Sequence, residues 1–258
     1  MDTGHRFLDE TRYGADMPEV LSDQQKGLPQ PPLELPPAAG IPLVPLPDPK
    51  KLSVPGIDLL TAINRRHSLR LYRDEPLSLE ELSYLLWCTQ GVKAVTARPC
   101  TLRTVPSGGA RHAFETYLMV RAVTGLEPGI YRFLAIEHAL QLVKSGAGVV
   151  RDITELCGDQ KMVELSAVTF IWTAVPYRMI WRYNQRAYRG LFLDAGHVCQ
   201  NLYLAAEAID CGVCAINAFF DHEFNDYLGF DGDQQFVIYC ASLGKKPVAA
   251  HARGGAAS

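Results

Sequence analysis

The sequence predicts an α+β domain, and three observations carry that class. A long run at 187–210 repeats apolar residues at helical spacing (Leu191, Ala195, Val198, Leu202, Ala205, Ala206, Ile209), with Phe192, Cys199 and Tyr203 filling a second face. It feeds an apolar strand at 213–220. Further strands and helices are mixed without the strict βαβ alternation of a doubly wound sheet. A helix apolar on most sides is buried, in a core or in a subunit interface. Gly212 sits where a helix C-terminal stop is expected.

Composition narrows the function. The chain has 258 residues, 48% of them apolar, and a formal charge of −3. That balance gives no electrostatic reason to expect nucleic acid or an acidic membrane as partner. No apolar run reaches the ~18 residues of a transmembrane helix. The opening MDTGHRFLDETRY is too polar for a signal peptide. Seven cysteines, mostly inside apolar runs, point to reduced thiols and a cytoplasmic protein. There is no internal repeat.

Three regions are expected: a Pro-rich extension at 1–55, a domain at 56–247 and a tail at 248–258. Residues 1–15 are charged and suit a short helix or arm. Ten prolines between 28 and 55 exclude helix and central strand, so this stretch should run extended over a surface, its own or a partner's. IDLLTAINRR at 57–66 reads as an amphipathic helix with Leu59, Leu60 and Ile63 inward and Asp58 at its start. Ser78 and Glu81 form a capping box before a helix that buries Leu82, Leu85 and Leu86. Residues 93–115 read as loop. Strands are expected at 116–122, 129–135, 140–144, 167–175 and 235–243, and shorter helices at 149–157, 177–188 and 221–228.

Several stretches could carry chemistry. Arg65-Arg66-His67-Ser68-Leu69-Arg70 sets three guanidiniums and a hydroxyl at a helix end, an arrangement able to fork onto a phosphate or to be a solvated basic end. Pro106-Ser107-Gly108-Gly109 allows close backbone approach to a ligand, or is a plain turn. Residues 181–189 alternate cations with aromatics and could line a site or form a solvated face. Cys211-x-x-Cys214 has no second pair at ligand spacing, so core packing is expected rather than zinc. His197 reads as a core histidine. Neither a Rossmann fingerprint nor a P-loop is present.

Taken in order, these pieces resemble a known family. They run R-R-H-S-x-R-x-Y, then P-L-S-L-E-E-L-S-x-L-L-W-x-x-Q-G-V, R-T-V-P-S-G-G-A-R-H, G-L-x-P-G-I-Y-R-F and R-A-Y-R-x-x-x-L-D-A-G-H-V-x-Q-N-L. From about residue 57 to 246 the chain resembles the nitroreductase-like flavoprotein superfamily, in its SagB-type dehydrogenase branch. The N-terminal extension is also typical of that branch.

The resemblance implies a three-layer α+β sandwich around a central mixed sheet, and a domain-intertwined homodimer with two FMN sites at its interface. Arg66, His67, Ser68 and Arg70 would hold the phosphate and ribityl chain. Pro106, Ser107 and Gly108 would come from the other subunit and cover the isoalloxazine ring. Asn217 and Ala218 would direct backbone N–H groups at the reactive flavin nitrogen. Lys245 and Arg253 are both candidates for a further phosphate contact. Arg182 and Tyr183 would line the substrate side as the catalytic pair. Two departures stand out. Ala110 and Arg111 occupy places where many nitroreductases carry Asn or Gln. Arg182-Tyr183 replaces the Lys-Tyr pair of azoline-oxidising members. Arginine keeps its proton where a buried lysine can lose it, and a general base must be deprotonated. The implied activity is FMN-dependent oxidation or reduction of a small-molecule or peptide-derived substrate. The alternatives are a nitro- or quinone-reductase fed by NAD(P)H, and a catalytically idle subunit of a peptide-modifying complex.

Overall fold

Alternation along the strands decides the architecture. In this computed structural model, which describes residues 2–14, 20–146 and 148–248, β4 (Phe114–Val120) sends Leu118 and Val120 into one core and Tyr117 and Met119 into a second. β7 (Val168–Ala174) does the same with Phe170 and Trp172 against Ile171. A sheet apolar on both faces must be covered on both. Leu82, Leu85 and Leu86 of α3 (Leu79–Gln90) and Leu191, Val198 and Leu202 of α7 (Ala187–Glu207) cover the first face. The second is covered by α4 (Gly148–Leu156), α5 (Lys161–Leu165) and α8 (Asp221–Leu228) through Ile153, Val163 and Phe224. The result is the expected three-layer α+β sandwich.

The sheet runs β1 (Leu43–Pro45), β6 (Ala139–Ser145), β5 (Gly129–Leu134), β4, β7, β9 (Phe236–Lys245), β8 (Cys211–Ile216). The expected mixed character is not found in its ladders, which are all antiparallel. Parallel pairing enters only as isolated bridges, among them Ser68 with Val213.

Several expectations are corrected. Residues 93–115 hold a small antiparallel ribbon, β2 (Val92–Val95) with β3 (Thr101–Arg103), because Thr96 and Cys100 close a turn between them. Gly212 does not stop the long helix. α7 ends at Glu207, and Asp210 makes the turn with φ of 54°. Gly212 lies within β8, where its missing side chain leaves room for Leu69. α2 (Leu59–Arg65) forms, with Asp58 accepting from the Thr61 N–H, but Leu59, Leu60 and Ile63 point outward, Leu60 being 66% exposed. Its short turns bury only Ala62, so in a single chain the apolar face is left open. Phe192 of α7 is likewise exposed. His197 is half-exposed on α7, on the side away from the sheet, rather than in the core. The cysteine expectation holds: all seven are free, and Cys211 and Cys214 are buried on opposite faces of a strand.

The Pro-rich stretch lies on its own chain. After α1 (Thr3–Glu10), residues 20–42 cross the sheet before Leu43–Pro45 joins it as an edge strand, the one sheet position that tolerates proline. Buried Glu115 organises the crossing. It pairs with Arg132 at 2.9 Å and with Arg178, and accepts from the Leu35 N–H at 2.9 Å. The same guanidiniums donate to arm carbonyls: Arg132 to Leu35 and Pro36, Arg178 to Pro32. A charge pair this buried needs further hydrogen bonds for its remaining donors, and the arm's carbonyls supply three acceptors, with Arg178 Nη1 left without one.

Candidate functional site

The basic segment is fixed on the sheet by two glycines. Leaving α2, residues 67–72 run along β8, the Leu69 N–H donating to the Val213 carbonyl at 2.9 Å. A β-carbon on Gly212 would fall inside 3.0 Å of Leu69, and one on Gly244 would lie 2.7 Å from the Tyr72 ring. Close approach of backbone is what glycine permits. The Tyr72 hydroxyl then donates to the Leu69 carbonyl at 2.8 Å. Tyr203 of α7 is the hub. Its hydroxyl lies 3.0 Å from Ser68 Oγ and accepts from the Ala215 N–H at 2.8 Å, and Arg66 lies 5.3 Å from its ring centre. His67 Nδ1 is 3.0 Å from the Arg65 carbonyl. Among the described residues no carboxylate pairs with Arg65, Arg66 or Arg70, so the cluster holds uncompensated positive charge.

A second group forms at the other end of α7. Buried Asp194 faces the Gly108 N–H at 3.3 Å and the Ser107 hydroxyl. Burial raises its pKa above the usual carboxylate value. Ser107 Oγ in turn accepts from the His112 N–H at 2.9 Å. Gly109, Ala110 and His112 all take positive φ, at 57°, 54° and 43°. Such backbone costs energy for a side chain and collects at functional sites. Burial, reinforced by Arg103 and Arg111, pushes His112 down to about 3. The loop packs on α6 (Tyr177–Tyr183), and Gly109 sits against the Tyr183 hydroxyl, with Arg182 stacked 5.5 Å from the Tyr183 ring centre. A cavity of about 210 Å³ opens beside them, walled by Gly108, Met179, Tyr183, Gly190 and Leu193. Tyr13 closes one side of it, stacked on Arg186.

The sequence-expected residues therefore fall into separate places. Arg66, Ser68 and Arg70 gather near Tyr203, while Pro106, Ser107, Gly108, Arg182 and Tyr183 gather near Asp194. Nine residues of helix, about 13 Å, separate Asp194 from Tyr203. Asn217 and Ala218 lie exposed past the end of β8, where Asn217 joins Phe192, Gly196 and Tyr239 around a cavity of about 450 Å³. Lys245 is turned to Glu81 of the capping box and donates to the Ile209 carbonyl at 3.2 Å. Arg253 lies outside the described residues. Sequence reasoning missed Tyr203 and Asp194. The available signal was a polar atom on the buried face of an otherwise apolar helix, which requires a partner.

Known proteins match this arrangement. A family model described as nitroreductase family covers residues 63–245. A Methanocaldococcus jannaschii protein named as a candidate nitroreductase is 29% identical over 202 residues, spanning 77% of this chain and 98% of its own. The trifolitoxin-processing protein TfxB of Rhizobium leguminosarum bv. trifolii is 31% identical over 111 residues, which are 42% of this chain and 30% of that protein. A crystal structure of a candidate nitroreductase from Anabaena variabilis superposes with a TM-score of 0.63 at 31% identity, covering 74% of this chain and 38% of that one. The chain thus spans less than half of the length of the last two. Among the described residues no helix is long and apolar enough to cross a membrane, and no group of side chains could hold a metal ion.

Proposed function

This chain belongs to the nitroreductase family, and from that premise we propose that it is an FMN-dependent oxidoreductase of the SagB type, working as a homodimer on a small-molecule or peptide-derived substrate. One observation carries the reading: three guanidiniums, Arg65, Arg66 and Arg70, stand without carboxylate partners on a segment pinned to β8. Arg65 and Arg70 are exposed and Arg66 half-buried, so an anion from solvent can reach the cluster, and a phosphate is the ligand that guanidinium forks match. Ser68 faces Val213, and Asn217 lies four residues further along the same strand direction, about 13 Å. That extent suits an elongated ligand with a charged end and a planar end.

Arg66, His67, Ser68 and Arg70 would hold the phosphate and ribityl chain. Lys245 is already engaged by Glu81, so we assign it to bracing the segment rather than to the phosphate. Asn217 and Ala218 would address the ring, and Pro106, Ser107 and Gly108 of a second copy would cover it. When bound, FMN supplies the acceptor and donor of a hydride or electrons. Within each chain, Asp194 holds the 107–108 backbone, and Tyr183 walls the substrate cavity with Arg182 stacked behind it. The exposed Leu59, Leu60, Ile63 and Leu193 support the dimer, since isolated chains seldom leave so many large apolar side chains in water.

A second reading keeps the flavin but not the turnover: an idle subunit of a peptide-modifying complex. Arg182 at the place of a lysine favours it, and so does the relative named as a trifolitoxin-processing protein. The test begins with the purified protein. It should be yellow, release FMN rather than FAD on denaturation, and lose most of it in Arg66→Ala, because a charge-assisted phosphate contact contributes roughly 1.5–3 kcal/mol. A colourless wild type that ignores added FMN ends the assignment.

A further inference from the structure

Among the described residues, two guanidiniums beside Tyr183 stack on aromatic rings but have no carboxylate partner. The other inward arginines are anchored by polar partners, although Arg103 Nη2 and Arg178 Nη1 keep no acceptor. Arg132 and Arg178 have Glu115, Arg103 donates to Gln90 and Thr101, and Arg186 and Arg189 donate to Thr11. Arg111 differs. It is only 6% exposed, its Nε has no acceptor, and its guanidinium lies 5.3 Å from the Trp181 ring centre. Arg182 stacks on Tyr183, and a β-carbon on Gly109 would lie 3.2 Å from its Nη1, again with no acceptor among the described residues. Burial, and then the nearby Arg182 with Arg98 adding to it, disfavours the charged form of Arg111. Like charges gathered in a half-buried place are stable only when something else is gained there. The backbone that sets Arg111 is itself strained, with Ala110 and His112 on either side at positive φ.

We propose that Arg111 and Arg182 together receive the carboxylate of an organic acid beside Tyr183. This rests on the reading of that cavity as the substrate side. Planar guanidiniums fork onto a planar carboxylate, and the adjoining cavity has apolar walls in Met179 and Leu193, with Gly108 and Gly190 giving width. An organic acid supplies both the charge and a body for those walls. Inorganic phosphate supplies only the charge. The substrate class is thus a carboxylate-bearing molecule, such as a peptide end or acidic side chain, with the reacting group held against the Tyr183 hydroxyl.

The test is calorimetric titration of the full purified chain with benzoate, benzamide and inorganic phosphate, with the visible spectrum recorded on the same samples. Benzoate should bind, and benzamide at least tenfold more weakly. Arg111→Gln and Arg182→Gln should each weaken benzoate tenfold or more while flavin content stays unchanged. Arg182→Lys should restore part of the loss, which a merely misfolded variant would not. The proposal is overturned if benzoate and benzamide bind alike, if both Gln variants bind benzoate as the wild type does, or if phosphate displaces benzoate at equal concentration. A wild type that carries no flavin yet prefers benzoate over benzamide would keep this subsite and remove the FMN reading instead.

Discussion

The Tyr183 hydroxyl rests against the α-carbon of Gly109: a β-carbon at that position would fall well inside 3.0 Å of the phenolic oxygen and 3.2 Å from Arg182 Nη1. The loop and the end of α6 are therefore one unit, and the glycine is what lets them meet. Gly109→Ala should cost about 1–2 kcal/mol for its left-handed backbone and should displace the phenol, lowering turnover well beyond the stability change. Gly108→Ala is the internal comparison, since its β-carbon would meet nothing nearer than 3.8 Å. Thermal unfolding and activity of the two variants decide the matter. Equal activities would show that the Gly109–Tyr183 contact does not position the tyrosine.

The open apolar residues predict assembly. Leu59, Leu60 and Ile63 on α2 and Leu193 on α7 are exposed in one chain, and burying each side chain contributes roughly 1.5–3 kcal/mol. Obligate dimers commonly bury more than ~2,000 Å². Light scattering should give a dimer at micromolar concentration, and Leu60→Asp should shift it toward monomer with loss of flavin. A stable monomer that retains FMN would mean that each site is complete within one chain, and the second copy's loop would have no role.

The arm carries its own pH dependence. Burial, and then the charge of Glu115, raise the Glu34 carboxyl to about 7, although it accepts the Ala135 N–H at 2.6 Å. The folded chain thus holds this proton more tightly than the unfolded chain does. Its contribution to stability is full below the ordinary glutamate range and is lost as pH rises through about 7. Glu34→Gln should flatten the dependence of the melting temperature between pH 4.5 and 7.5, removing a loss of about 1–3 kcal/mol. His112 acts in the opposite sense at lower pH and is common to both proteins, so the difference between them isolates Glu34. Parallel curves for variant and wild type would refute it.

What the sequence made legible was whatever rests on local periodicity or spacing. The capping box at Ser78, a strand near 116–122 (found at Phe114–Val120) and the buried length of α7 all follow from neighbours in the chain. The inward face assigned to α2 went wrong because periodicity gives a helix an apolar face without saying whether its own chain covers it. Gly212 was misread for a related reason: a glycine after a helix and a glycine making room for Leu69 look the same until residues 143 positions apart are brought together. Tyr203 and Asp194 were invisible because their partners, Ser68 and Gly108, are distant in sequence. The basic segment and the Pro-Ser-Gly loop were legible as pieces, but not their separation along α7.

The last prediction concerns Tyr183. Four polar groups near the cavity could handle a proton. Asp194 is spent on the Gly108 N–H and the Ser107 hydroxyl. His112 is buried and held neutral, down to about 3. Of the two phenols that wall the cavity, Tyr13 is 78% exposed to solvent, and Tyr183 remains, held in place by Gly109 and Arg182. Arginine does not serve as a base under ordinary conditions, so the proton step falls to the tyrosine and the charge step to the guanidinium. Tyr183→Phe should then slow anaerobic flavin reduction by roughly 10²–10⁴-fold at saturating substrate. Arg182→Ala should chiefly raise the substrate concentration needed, and Arg182→Lys should keep activity or admit azoline oxidation. The split between rate and half-saturation separates the two roles. If Tyr183→Phe is reduced at the wild-type rate, the tyrosine moves no proton, and the idle-subunit reading gains the ground that the enzyme reading loses.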